Sequence, residues 1–115
     1  MAWHAFSGHA GTALARLSSL LVTASRTLRV GAYRDVASAA QSEPGWVAGM
    51  TPQACHINVV GIYIDFLDHL RDAASLATDG ITDVDASTVN RATSALLEVD
   101  VLMGRVGDEL STVSC

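Results

Sequence analysis

Residues 51–78 read TPQACHINVVGIYIDFLDHLRDAASLAT, and the reading of this stretch decides the fold. At about 100° per residue, Val59, Tyr63, Phe66, Leu70, Ala73 and Ala77 form one apolar stripe. Ile57, Val60, Ile64, Leu67 and Ala74 form a second beside it, interrupted by Arg71. Two stripes cover about half the circumference, wider than the ~100° of an ordinary surface helix, so this helix needs neighbours on two sides. Thr51 is placed as its N-cap and Pro52 at its first position, where a missing N–H costs nothing. The spacing predicts a central helix over 52–78. Asp65, Asp68, His69 and Asp72 share its remaining, solvent-facing side.

The last helix is predicted over 87–113, with Ser87 as N-cap after the acidic turn DGITDVDAS. Val89, Ala92, Leu96, Val99, Met103, Val106, Leu110 and Val113 alternate steps of three and four, an a/d seam. Folded back antiparallel, it registers against the first stripe. Val106 meets Val59, Met103 meets Tyr63, Val99 meets Phe66, Leu96 meets Leu70, and Val89 reaches Ala77. Leu97 and Val101 lie off this seam, one turn apart, and are left for a helix of another chain.

Upstream, residues 1–8 read as a lead-in. A first helix is predicted over 8–40, with Ala10, Leu14, Leu17, Leu21, Ala24 and Leu28 as its stripe. The stripe degrades at Gly31 and Asp35, which predicts a kink or a phase shift there, with the helix continuing to about Ala40. QSEPGWVAGM, residues 41–50, reads as the break before the central helix. The fold expected is all-α: a single domain forming a three-helix antiparallel bundle, completed by dimerisation into a larger one.

Composition supports association. The chain has 115 residues, 50% hydrophobic and only 17% charged, more apolar surface than one small core easily hides. No run approaches the ~18 apolar residues of a membrane span. The first 34 residues hold Arg16, Arg26, Arg29 and Arg34 and no acid; the remainder holds all twelve acids. An acid-free start with arginine and serine also resembles an organellar transit peptide, but a basic helix packed beside an acidic remainder is the plainer reading. With a net charge of −5 and no helix-turn-helix or aromatic platform, nucleic acid is not an expected partner. Lysine is absent and alanine abundant, a bias matching a GC-rich, actinobacterial-like genome. The start MAWHAFSGHAG lacks a charged n-region. Two locations fit: a bacterial cytoplasm, or export by a route without a Sec signal peptide.

Chemistry-bearing residues are few. In the antiparallel hairpin Cys55 lies about level with Leu110, so Cys115 is one turn or so beyond it. The two either form a disulfide, which the loop-entropy model puts at about 4 kcal/mol, or remain free thiols in a reducing compartment. Cys55 and His56 point about 100° apart and do not make a nucleophile–base pair. His56 falls on the apolar arc, and Asp35 is its candidate buried partner. The Asp65–Asp72 face lacks the carboxylate-x-x-His pairs that two helices of a diiron bundle supply, and the acidic turn lacks the Gly and Glu of a calcium loop. No catalytic residue, metal or cofactor is therefore assigned.

GWVAG places Trp46 and Gly49 between two long helices. In a small acidic helical chain this resembles the ESAT-6/WXG100 family of type VII secretion substrates, over roughly residues 8–78. Here two residues rather than one separate Trp46 from Gly49, and Leu67 stands where a Tyr-x-x-x-Asp/Glu export signal counted from Tyr63 needs an acid. The resemblance implies a dimer forming a four-helix bundle, export without a Sec signal, and no enzyme activity. The function expected is association through helix faces, with a second copy or a small helical partner. The alternative is a small-molecule-binding or catalytic bundle with a core pocket near His56, Asp35 and Tyr63. A third reading has the arginine-rich first helix binding an acidic partner.

Overall fold

The structure, a computed structural model, describes residues 2–49 and 56–112. It is all-α, with four helices among the described residues: α1 (Ala2–Thr27), α2 (Val30–Ala48), α3 (Ile57–Thr82) and α4 (Ala86–Thr112). α3 packs along α2 on one side and along α4 on the other. α1 lies along α2 and meets α4 more sparsely. The result is an elongated up-down-up-down bundle of 48 × 20 × 19 Å.

The expected three-helix count is corrected. The first predicted helix is two helices, and the break falls at Leu28–Arg29 rather than as a kink at Gly31. Leu28 takes φ 52°, a left-handed conformation uncommon for a non-glycine residue, and its N–H still reaches the Ala24 carbonyl at 2.9 Å. The reason is a phase jump. Ala10, Leu17, Leu21 and Ala24 are buried on α1, and Tyr33, Val36, Ala40 and Val47 on α2. From Ala24 to Tyr33 is nine residues, about 900° on a continuous helix, so the two stripes would face opposite ways. A reversal of direction lets both face one core.

With α1 and α2 as separate helices, the chain closes a four-helix bundle by itself. Dimerisation is therefore not needed to complete it. α2 also runs through the segment read as a break: Pro44 sits inside it and Trp46 in its last turn. Proline removes one backbone donor, but Val47 beyond it is buried, and that packing carries the helix on. Gly49 closes α2, its N–H reaching the Trp46 carbonyl at 3.2 Å. The lead-in over residues 1–8 is likewise corrected, because α1 begins at Ala2 and Phe6 is buried. The Thr51–Pro52 start of the central helix lies outside the described residues.

α3 is the most enclosed helix. Val59, Tyr63, Phe66 and Leu70 are buried on it, as are Leu67 and Ala74 of the other stripe, while Ile57 is exposed. Each fully buried Leu or Phe side chain there is worth roughly 2–3 kcal/mol of transfer free energy. α4 buries one side only, through Ala92, Val99 and Val106, with Leu96, Met103 and Leu110 half-buried. Its N-cap is Asp85 rather than Ser87. The Asp85 carboxylate accepts the Ser87 N–H at 3.0 Å and the Thr88 hydroxyl at 2.9 Å.

Candidate functional site

α4 turns an apolar strip outward. Leu97 and Val101 are 64% and 73% exposed, on the side opposite Ala92, Val99 and Val106. The patch continues onto α1 and the residue just past its end, where Val22 and Leu28 are 48% and 62% exposed. Between the two helices runs an open groove of about 470 Å³, with Leu21, Val22 and Leu28 on one side and Leu96 and Leu97 on the other. It lies at the bundle's loosest junction, since α1 is held mainly by α2. Arg26 and Asp100 also line it, one from each helix, and neither makes an ion pair within the chain among the described residues. The contribution of α1 was not anticipated. Val22 sits beside the apolar stripe in sequence, but only the reversal at Leu28 brings it alongside α4.

A second cluster ties α1 to α2 and α3. The His9 imidazole stacks on the Trp46 indole, centroids 3.6 Å apart and planes 8° from parallel. Its Nε2 pairs with the Glu43 carboxylate, whose side chain is only 13% exposed. Phe6 meets the Tyr63 ring edge-on at 5.6 Å, and Tyr63 neighbours Phe66 at 6.4 Å. The Tyr63 hydroxyl is fully buried with no hydrogen-bond partner among the described residues. Burial, with the Glu43 carboxylate adding to it, holds the Tyr63 phenol well above its ordinary value, so it stays neutral. Glu43 and His9 lie 34 residues apart in sequence, and no local signal pairs them.

The other predicted residues are placed as follows. His56 is buried just before α3, whereas Asp35 is exposed in the second turn of α2. Asp35 stands 13 residues before the end of α2, about 20 Å along its axis, and the chain reaches His56 from that end. The fold does not bring the two together, because antiparallel packing puts them toward opposite ends of the α2–α3 pair. The acid it does bring inward is Glu43. Cys55 and Cys115 lie outside the described residues. Of the expected hairpin seam, Val59, Tyr63, Phe66, Leu70, Val99 and Val106 are buried and Met103 half-buried. Asp65, His69 and Asp72 are exposed and Asp68 half-buried. The His69 Nδ1–H donates to the Asp65 carbonyl at 2.8 Å, and Arg71 pairs with Asp68 at 3.7 Å. Among the described residues no group of three His, Cys, Asp or Glu side chains is placed to hold a metal ion, and no helix is long and apolar enough to cross a membrane.

No protein-family model, curated protein or solved structure matches this chain.

Proposed function

We propose that the protein is a non-enzymatic helical module that acts by association through the outer face of α4 and the groove beside it. The observation that carries this reading is the exposure of Leu97 and Val101, one turn apart on a helix whose core side is already filled. Large contiguous apolar patches on a small protein mark interaction sites. Either a second copy or a small helical partner fits the strip. Kinship with the ESAT-6/WXG100 family belongs to the same proposal, since those proteins also work by helix pairing; Trp46 here lies within α2, however, not in a turn between helices.

Molar mass in solution tests the reading. The wild-type chain is expected to sediment above its 12.0 kDa monomer mass in the micromolar range. Leu97→Asp should return it to monomer with its helix content intact. Leu96→Asp, on the core side, should unfold it. A strictly monomeric wild type that Leu97→Asp leaves unchanged in every respect would overturn the proposal.

A second reading has one observation in its favour. The buried Tyr63 hydroxyl, which makes no hydrogen bond of ordinary geometry among the described residues and lies beside Glu43, is the kind of polar group that orients a small ligand in a helical core. Asp35 has no part in it.

A further inference from the structure

We infer that the partner of the α1/α4 groove is the same groove of a second copy, related by a two-fold axis that lies between the two faces and runs along the groove, parallel to the helices. This rests on the association reading above and specifies its partner and register. A rotation of 180° about such an axis carries α1 of one copy over α4 of the other. Val22 and Leu28 of one chain then seat on Leu97 and Val101 of its partner, and the reverse, so every exposed apolar side chain of the patch meets another.

Charge selects this arrangement. Arg26 and Asp100 flank the groove on its two sides, one on α1 and one on α4, and neither is paired within its own chain among the described residues. The two-fold axis sets Arg26 of each copy against Asp100 of the other, closing two ion pairs at the rim of an apolar centre. The helices carry the same complementarity along their length. α1 has two arginines and no carboxylate, while α4 has four carboxylates against two arginines. Laying α1 on α1 and α4 on α4 would instead oppose like charges. Area permits it too: a side of 48 × 20 Å exceeds the ~800 Å² per partner of a stable complex.

The test uses two charge reversals in the full chain, each followed by sedimentation and circular dichroism. Arg26→Glu alone sets two glutamates against two aspartates across the axis. Asp100→Arg alone sets four arginines together. Each variant by itself is expected to weaken dimerisation by about tenfold or more. Mixed in equal amounts, they are expected to form a heterodimer near wild-type affinity, because both rim pairs are again of opposite sign. Rescue by mixing separate chains cannot arise within one chain, so it reads the intermolecular contact alone. Both side chains are exposed; should either reversal nonetheless lower helix content, Arg26→Gln and Asp100→Asn replace them, each expected to weaken the dimer about threefold. A dimer that Leu97→Asp dissociates but that ignores the charge reversals would overturn this register and leave the association reading standing. A wild type that stays monomeric at all concentrations would overturn this inference, and one that Leu97→Asp also leaves unchanged in every respect would overturn the association reading as well.

Discussion

Gly80 of α3 lies directly against the backbone of Val89 in α4. A Cβ added at Gly80 would stand 2.8 Å from Val89 Cγ2 and 2.9 Å from the Val89 nitrogen. The side-chain contact is able to rotate away, but the backbone contact is not. Gly80→Ala should therefore push the start of α4 off α3 and destabilise the bundle by about 1–3 kcal/mol, measured by denaturant unfolding. Stability equal to wild type would mean that α4 begins farther from α3 than described.

The stack of His9 on Trp46 joins α1 to α2 where Glu43 already holds the imidazole. His9→Ala and Trp46→Ala should each destabilise by about 1–2 kcal/mol. Their double-mutant cycle should show a coupling of about 0.5–1.5 kcal/mol, the range for stacked aromatic pairs. Additive effects would show that the rings do not touch in solution.

Tyr63→Phe removes a buried hydroxyl that has no hydrogen-bond partner among the described residues. Unfolding free energy should stay within about 1 kcal/mol of wild type or rise, because an unsatisfied buried polar group is costly. A loss above about 2 kcal/mol would reveal an interaction of that hydroxyl and strengthen the small-molecule reading.

The turn between α3 and α4 yields two expectations. Val84 takes φ 50° and is 89% exposed, so a β-branched residue stands in a left-handed conformation with little packing to lose. Val84→Gly should raise stability by about 0.5–1 kcal/mol. Leu28→Gly relieves the same conformation at φ 52° but removes part of the apolar patch. It should stabilise the monomer and weaken association, which thermal unfolding and sedimentation would separate.

Asp85 next door makes the turn pH-sensitive. Hydrogen bonds from the Thr88 hydroxyl, then from the Thr88 and Ser87 N–H groups, hold its carboxyl below the usual carboxylate value. A depressed folded value means the folded state binds fewer protons than the unfolded one. The stabilisation is thus present above the ordinary carboxylate range and lost as pH falls through the folded value. Asp85→Ala should lower the unfolding temperature at neutral pH, and the gap should close in acid. His69 runs the other way. Its bond to the Asp65 carbonyl, with carboxylates nearby, raises its value, so its contribution is present below the ordinary imidazole value and fades as pH rises through the folded one. At 46% exposure that contribution is small.

Helical periodicity in Val59–Ala77 and Val89–Leu110 was legible because the neighbours that define a helical face are three and four residues apart in the chain. The class of the fold, the double-sided α3, the one-sided α4 and the outward Leu97 and Val101 all follow from that local spacing. The break at Leu28–Arg29 was not legible by the usual punctuation, since neither residue is glycine or proline. Its only trace was the half-turn phase jump between Ala24 and Tyr33. Pro44 misled in the opposite sense: it reads as a stop, yet the burial of Val47 carries α2 past it.

What the tertiary structure alone decided is which helix lies beside which. Reversing the chain at Leu28 supplied the fourth helix from within, brought His9 to Glu43 and Trp46, and laid Val22, Arg26 and Leu28 along α4 opposite Leu97 and Asp100. The run of α2 through Pro44 to Ala48 in turn carries Asp35 away from His56. These contacts join residues far apart in sequence, and their energy depends on the packing of whole helices rather than on any neighbour three or four positions away.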